Sequence, residues 1–521
     1  MEVNCRTKIS NLVTFVFISP FCFGNPTATV NSDGSTSATV FYACSAAILF
    51  VTIGCFSAQP RGDPFASKIL IAILVSLMVA GTVWIMILLV LIFCCRSCDI
   101  VRRQQFKHKS ISLQLIFLWF SGLGVLLRTG ISLAIIIDCI AVNSETTSEG
   151  IKEIFYTLPK ITFMLLQMGA ITYLRNTRLE GVLLTNYLIA VILLVNLSIW
   201  INFVTVKIAD IYTFGKVNSS MTIPNATVYD YCYWHSKLQN ISRVLNPFLL
   251  SINMLFLLIS SMFLVRLWPS VGSKSWMERF KVDKNWKDSD STRDNNDQII
   301  DSNRQRLKSV KITSFFVGIF LVAPFFTMSV LMRFVYFNEI ITVKKIWDVS
   351  VIVCLAIALV VVLVGIQNLD SISPIKLTMS TWDGVLLCCM AGIVVMNIIG
   401  SISATSCYVE RSSTIFTKNV LHLFLTFYHS VYIILARRIP ANILRNSVVS
   451  LSIHVILFVS YLGRWLLQTF LLSRHGEYLL KEGEDCVFST KESWLIFQYF
   501  AIPLNAFYDF QSFVFYYSVI W

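Results

Sequence analysis

The sequence predicts an all-α membrane protein of twelve transmembrane helices arranged in two six-helix halves. Hydrophobic residues make up 56% of the 521 residues, and charged residues only 14%. Twelve apolar stretches each reach about 20 residues, the length that a helix needs to cross a bilayer. None alternates polar and apolar residues as outer-membrane strands do, and only helices or closed barrels satisfy their backbone groups in lipid.

Six spans precede a long polar segment and six follow it. In the N-terminal half, residues 38–267, the spans cover residues 38–57, 69–94, 112–142, 154–174, 182–206 and 245–267. In the C-terminal half, residues 312–521, they cover residues 312–336, 346–366, 384–404, 414–436, 447–473 and 493–519. Residues 268–311 between the halves are polar and charge-mixed, which indicates a flexible cytoplasmic linker.

Residues 1–37 are interpreted as a cytoplasmic or interfacial leader. Arg6 and Lys8 precede an apolar run from Leu12 to Phe23, an arrangement that also resembles a secretory signal peptide over residues 1–24. Cleavage would invert every later loop and put the basic loops outside, against the positive-inside rule. The leader is therefore the preferred interpretation, with the signal peptide as the alternative.

Loop charges and glycosylation sequons predict the orientation. Basic residues gather in the loops after spans two, four, six and ten, as at Arg102, Arg175 and Arg437, which indicates cytoplasmic loops. The loop between spans five and six carries sequons at Asn218 and Asn225, which need a lumenal or extracellular face. Both signals place the two termini in the cytoplasm. The predicted location is the plasma membrane, with an endosomal membrane as the alternative.

The net charge of +13 does not indicate nucleic-acid binding, because the basic groups lie in short loops beside apolar spans and face anionic lipid headgroups. The 14 cysteines show no zinc-binding spacing. The sequence contains no P-loop, no His-Glu-x-x-His motif and no cofactor fingerprint. We therefore expect neither an enzyme nor a bound cofactor or metal, and the predicted partner is the lipid bilayer.

Two pairs of short motifs indicate that the halves are repeats. Asn196 and Trp200 in span five match Tyr461 and Trp465 in span eleven, with the same spacing. After a lumenal loop, spans six and twelve each open with proline, at Pro247 and Pro503. This pattern predicts a parallel repeat of six spans, related by an axis along the membrane normal.

Motifs from span three to span twelve also carry a family resemblance. They are Gly122-Leu123-Gly124 after His108, Phe163 with Gln167, Asn196 to Trp200, Pro247-Phe248, Trp382 to Leu387, and Pro503-Leu504 followed by Phe507-Tyr508. In order and spacing they resemble the otopetrins, a family of proton-selective channels with twelve spans in two six-helix halves. The resemblance implies a homodimer that moves protons passively along waters and polar side chains, with gating by pH.

The chain departs from the family at several charged positions. Where the family has glutamates in spans three, five and six, this sequence has Ser132, Lys207 and Ser251. In the last two spans, Tyr461, Asp509 and Gln511 stand where the family has asparagine, arginine and histidine. The resemblance therefore describes a divergent member. The open alternatives are a twelve-span secondary transporter and a non-conducting receptor or accessory subunit.

Polar side chains inside the spans are the candidate permeation or gating residues, because burying an ionisable group in lipid is costly. They are Arg128, Asp138, Gln167, Lys207, Ser251, Asn253, His429, His454, Arg464, Asp509 and Gln511. Arg464 and Asp509 occur on adjacent spans and are predicted to form an ion pair. For Gln167 and Asn253 the alternative role is a hydrogen bond that joins helices.

Span ten carries His422 and His429 at a spacing of seven, which places both on one face of the helix. Imidazole titrates near neutral pH, so this pair is a candidate proton relay. The alternative is that one histidine is interfacial and the other forms a hydrogen bond with a neighbour.

The predicted orientation requires that the loop carrying Asn218 and Asn225 is glycosylated. Glycosidase treatment of protein from mammalian cells should increase the gel mobility of the wild type. It should leave the Asn218→Gln, Asn225→Gln double variant unchanged. A wild type whose mobility does not change would remove this support for the orientation.

Overall fold

A computed structural model describes most of the chain and divides it into two compact units, Met1–Arg293 and Asp294–Trp521. The residues that it describes are 33–57, 64–94, 104–105, 109–142, 147–175, 177–178, 183–217, 237–267, 297–331, 340–370, 381–406, 412–472, 487 and 491–521. Most of the predicted leader, most of the linker and both sequons lie outside them.

The described residues of the N-terminal unit form six long helices. They are α1 (Asp33–Ser57), α2 (Pro64–Cys94), α3 (Lys109–Val142), α4 (Thr147–Leu174), α5 (Leu183–Val217) and α6 (Lys237–Leu267). Two short strands, β1 (Gln104–Gln105) and β2 (Thr177–Arg178), pair antiparallel with Gln104 opposite Arg178. Each follows an even-numbered helix, so this two-residue ladder ties together the segments that leave α2 and α4.

In the C-terminal unit, the part of the chain that the structure describes also forms six long helices, with one short helix added. They are α7 (Asp297–Leu331), α8 (Ile340–Asp370), α9 (Thr381–Ser406), α10 (Ser412–Ala436), the short α11 (Ala441–Asn446), α12 (Val448–Leu466) and α13 (Lys491–Ile520). A π-helical turn, Leu467–Leu472, continues α12. Helix α7 begins well before the predicted span, so part of the predicted flexible linker, from Asp297 to Lys311, is helical.

Apart from the two-residue strands, the described residues form helices whose length and apolar composition fit a multi-pass membrane protein. Among the described residues, ten helices are long and apolar enough to cross a membrane, namely α1 to α5, α7 to α10 and α12. Helix α6 contributes only a shorter apolar stretch, Ile252–Leu267, and α13 is not among the ten. Large apolar side chains on these helices face outward, as at Phe320, which is 72% exposed. Such outward apolar surface suits contact with lipid, and the full count of twelve spans stays a prediction.

The two units repeat one pattern of helix packing. Taking α12 and α13 as the fifth and sixth helices of the second unit, the same seven pairs pack in both units. In the N-terminal unit these pairs are α1–α2, α1–α5, α2–α4, α2–α5, α3–α4, α3–α6 and α5–α6, and the C-terminal unit has the equivalent seven. The sixth helix therefore packs against the third and the fifth in each unit.

Glycines allow the closest contact between α7 and α12. A Cβ atom placed on Gly318 would lie 2.7 Å from Val459 Cβ and 3.2 Å from the backbone oxygen of Ile456. On the other helix, Gly463 faces Val322 in the same way. Neither Val459 Cβ nor a backbone oxygen can rotate away, so the close packing of α7 and α12 depends on glycine, which has no Cβ atom, at position 318.

We therefore expect Gly318→Ala to destabilise the protein by about 1–3 kcal/mol, as overpacking a close interface usually does. Gly384→Ala in α9 is the matched control, because a Cβ there meets nothing within 4 Å. Thermal unfolding of detergent-solubilised protein, followed by size-exclusion chromatography, measures both variants. Equal midpoints for the two variants would contradict the close packing of α7 and α12.

Candidate functional site

Buried and half-buried polar side chains of the C-terminal unit follow one another between α9, α10, α12 and α13, and we call this set the polar column. Its members are Asp383, Asn397, His422, His429, Ser430, Tyr432, Arg437, Arg438, Ser450, His454, Tyr461, Arg464, Tyr508, Asp509 and Tyr516. From Ser450 to Arg464 it follows α12 for about 21 Å at 1.5 Å per residue. That length is most of the roughly 30 Å of a bilayer's hydrocarbon core.

Helical spacing brings these residues to one side of each helix. On α10, His422 and His429 are seven residues apart, and on α13, Tyr508 and Tyr516 are eight apart. Residues at such separations share a helix face. The column is thus made of helix faces that turn toward each other.

An ionic cluster of Asn397, His422, Arg464 and Asp509 occupies the end of the column nearest the end of α12. Arg464 Nη2 lies 2.8 Å from His422 Nε2, and His422 Nδ1 lies 3.1 Å from Asn397 Oδ1. A guanidinium only donates hydrogen bonds, so Nε2 must be the accepting, unprotonated nitrogen. The proton of the neutral ring is then on Nδ1 and is donated to Asn397, whose Nδ2 donates to the Ile393 carbonyl at 2.8 Å.

Asp509 pairs with Arg464 as the sequence predicts, but at a longer distance than a hydrogen bond. Arg464 Nε lies 3.6 Å from Asp509 Oδ2, and the aspartate side chain is completely buried. Neither carboxylate oxygen has a hydrogen-bond partner within the part of the chain that the structure describes. The guanidinium also lies 5.2 Å from the centre of the Tyr461 ring. Arg464 therefore divides its charge between a histidine, a carboxylate and an aromatic ring.

His429 forms the centre of a second group, the tyrosine cage, with Ser430, Tyr461, Tyr508 and Tyr516. The imidazole is fully buried, and its Nδ1 and Nε2 each lie 2.7 Å from a hydroxyl, of Tyr508 and Tyr516 respectively. The Tyr461 ring stacks on it with centroids 4.0 Å apart and planes 13° apart. The Tyr508 hydroxyl is also 2.8 Å from Ser430 Oγ. Every polar atom of the imidazole is thus satisfied within the cage.

His454 belongs to a third group, closer to the start of α12. Its Nδ1 lies 2.6 Å from the Ser450 carbonyl oxygen, which can only accept, so Nδ1 carries the proton. The Tyr432 hydroxyl is 3.4 Å from Nε2. The His454 ring meets Tyr516 of the cage edge-on at 5.6 Å, and Tyr432 stacks on Tyr516 at 6.4 Å. Tyr516 therefore joins the two histidine groups.

The column ends in an arginine clamp around Asp383. Arg437 Nη1 and Arg438 Nη2 lie 3.6 Å and 3.4 Å from its two carboxylate oxygens. Asp383 is in the first turn of α9, where a negative charge is favoured by the helix dipole. At the same end, Arg445 donates to the Val519 carbonyl at 3.2 Å and Lys311 to the Ile520 carbonyl at 3.1 Å. These cations satisfy carbonyls at the end of α13.

The structure separates the predicted candidates into two sets. His429, His454, Arg464 and Asp509 meet in the polar column, and Gln511 is buried on α13. The other candidates belong to the N-terminal unit and do not form such a column among its described residues. The sequence pattern could not show this division, because it depends on which helices pack together.

Within the N-terminal unit the candidates have separate surroundings. Arg128 lies 5.3 Å from the centre of the Phe203 ring, and Asp138 is exposed. Gln167 and Asn253 are each 1% exposed, and neither amide atom of Gln167 has a hydrogen-bond partner among the described residues. The unpaired amide of Gln167 does not support its alternative role, a hydrogen bond that joins two helices. The side chains of Lys207 and Ser251 lie outside the described residues.

Sequence reasoning singles out neither Asn397 nor Tyr432 nor Tyr516, and it leaves open whether His422 and His429 relay protons or bond to neighbours. His422 and His429 share a helix face, but each makes its hydrogen bonds with other residues, so the structure shows no direct contact between them. A signal for Tyr508 and Tyr516 is present in the sequence, because they are eight residues apart on a helix that also carries Asp509.

No family model and no curated protein matches this chain. Among the described residues, no group of three or more histidine, cysteine, aspartate or glutamate side chains could hold a metal ion.

The 3.6 Å contact predicts energetic coupling between Arg464 and Asp509. Arg464→Leu or Asp509→Leu alone should lower stability by about 3–5 kcal/mol, because each leaves an uncompensated buried charge. The double variant should recover part of that loss. As a control, combining Arg464→Leu with Asp383→Leu should give additive losses, since these residues do not touch. Additive losses for Arg464 and Asp509 would show that the pair does not interact.

Proposed function

We propose that this multi-pass membrane protein conducts protons passively, as the otopetrins that it resembles do, and that the polar column is the path. The observation that carries the proposal is His429, a fully buried imidazole held between two tyrosine hydroxyls at 2.7 Å. Hydrogen bonds this short, in a site lined by acids, bases and hydroxyls, are the arrangement that proton transfer requires.

The cage supports transfer because a neutral imidazole has one donor and one acceptor nitrogen. One hydroxyl therefore donates to the ring while the ring donates to the other hydroxyl. A proton that arrives on the accepting nitrogen is released from the opposite one, and the hydroxyls reverse their hydrogen bonds. The ring is then in its other tautomer, and a 180° flip of the imidazole together with rotation of the hydroxyls restores the first arrangement for the next proton. No side chain has to cross the bilayer.

The ionic cluster and the arginine clamp are the two ends of the proposed path. The proposed path requires water molecules at two places, between the ionic cluster and Tyr508 and between Tyr516 and His454. An isolated Arg464 would oppose a proton about 4 Å away by about 4 kcal/mol at an effective dielectric constant near 20. Asp509 offsets this barrier, which explains why the two charges occur together.

The clamp marks the cytoplasmic end in this proposal. Arg437, Arg438, Arg445 and Lys311 gather there, as the positive-inside rule expects of cytoplasmic ends. The ionic cluster then faces the outside, where acid arrives. The remaining elements of the proposal, namely a homodimer in the plasma membrane and opening by acid, rest on the family resemblance.

The first test is whole-cell current during an external acid step. A current that reverses at the proton equilibrium potential supports the channel. Uptake that depends on an added substrate would instead support a secondary transporter, and silence in both assays would support a non-conducting receptor or accessory subunit. Because the three family glutamates are replaced, we expect smaller currents than those of a family member that keeps them.

Tyr516 and Tyr517 offer a matched pair of variants for the path. Tyr516→Phe removes the hydroxyl that lies 2.7 Å from His429 Nε2, and should reduce the proton current at least about tenfold, the loss that corresponds to about 1.4 kcal/mol in the barrier. Tyr517→Phe removes a hydroxyl from the next residue, whose ring stacks on Trp521, and should leave the current unchanged at equal surface expression. Equal currents from the two variants would exclude the cage from the path.

A further inference from the structure

We infer that His422 is the acid-sensing residue of this path, and that it acts by positioning Arg464. In the neutral state, His422 holds the guanidinium through its unprotonated Nε2. When the ring gains a second proton, it releases Arg464 toward Asp509. This inference rests on the proposed function, because it assigns a regulatory residue to the polar column.

The directions of the hydrogen bonds around His422 are fully determined. Arg464 can only donate at 2.8 Å, and Asn397 Oδ1 can only accept at 3.1 Å. The ring therefore has one empty protonation position, Nε2, and it is the position that faces the guanidinium. A proton added there turns the acceptor into a donor and places two positive charges in contact. The Arg464 contact and the His422 proton exclude each other.

Asp509 supplies the alternative partner. Its Oδ2 lies 3.6 Å from Arg464 Nε, about 0.7 Å beyond the usual length of such a hydrogen bond. Both carboxylate oxygens lack hydrogen-bond partners among the described residues, so they can accept the released guanidinium. A small movement of one side chain is enough to replace the first arrangement by the second.

Other charges around His422 are already engaged. Lys418, one turn earlier on α10, lies 3.5 Å from Asp348 of α8. Helix α9 contributes the uncharged Asn397, helix α12 contributes Arg464 and Tyr461, and helix α13 contributes Asp509 and Tyr508. Among these contacts, no carboxylate touches His422. Protonation of the ring is therefore coupled to the position of Arg464.

The position of Arg464 determines the charge next to the tyrosine cage. Its guanidinium lies 5.2 Å from the Tyr461 ring, and that ring stacks on His429 at 4.0 Å. When Arg464 pairs closely with Asp509, its positive charge is neutralised more completely, while the added positive charge rests on His422. Protonation of His422 thus changes the position of the guanidinium and the charge beside the cage, and with them the barrier to a proton that enters the cage.

Two substitutions should change the acid response in different ways. His422→Gln keeps an oxygen that accepts from Arg464 and an amide that donates to Asn397, but it cannot be protonated. The response to acid should therefore be lost. Asn397→Asp places a carboxylate against the Nδ1 proton of His422 and stabilises the imidazolium. The pH at which the response to acid is half complete should therefore rise by about one unit or more. Asn446→Asp, an exposed change of the same kind on α11, should leave the midpoint unchanged.

Difference infrared spectroscopy of the purified full-length protein tests the switch without any current. Acidification should shift a carboxylate band that disappears in Asp509→Asn. The shift should be absent from His422→Gln and should occur at higher pH in Asn397→Asp. The inference would be overturned if the carboxylate-band shift persisted unchanged in His422→Gln. It would also be overturned if the pH at which the shift is half complete were the same in Asn397→Asp as in the wild type. Infrared switching without proton current would instead contradict the proposed function and leave the role of His422 standing.

Discussion

The arrangement of the C-terminal unit depends on one constraint, the burial of the Arg464 guanidinium in the interior of a membrane protein. A buried cation needs hydrogen-bond acceptors and a counter-charge, and lipid provides neither. The structure meets both needs from three different helices, with His422 on α10, Asp509 on α13 and the Tyr461 ring on α12 itself. The remaining polar column follows from this convergence, because the same three faces carry His429 and its tyrosines.

The two units show how one packing pattern can enclose two different interiors. The sequence predicts that Pro247 and Pro503 open the sixth helix of each unit, but both lie inside it, because these helices begin at Lys237 and Lys491. Six residues after each proline stand Asn253 in one unit and Asp509 in the other. The matched position on the fifth helix is Asn196 in one unit and Tyr461 in the other. The N-terminal unit thus places neutral amides where the C-terminal unit places titratable groups. The two units share the pattern of helix packing, and the residue types at a few matched positions determine which interior contains titratable side chains.

Charge at the clamp end serves the fold as well as the proposed path. Lys311 and Arg445 donate to carbonyls in the last turn of α13, where helical backbone oxygens lack partners of their own. These contacts tie α13 to α7 and α11. They fix the position of α13 along its axis relative to its neighbours. This position places Tyr508 and Tyr516 beside His429.

The sequence by itself determined the class, the position of the long helices and one contact of the site. Apolar length predicts each long helix because the backbone must satisfy itself in lipid, and Arg464 and Asp509 were paired because adjacent spans carried opposite charges. Only the tertiary structure decided that His422 binds Arg464 and that His429 lies between two tyrosines. Those contacts join helices far apart in sequence, and a tyrosine in an apolar span has the same pattern whether it packs or hydrogen-bonds. Whether a tyrosine hydrogen-bonds depends on which residues of the neighbouring helices lie at its level, and the periodicity of one helix does not contain that information.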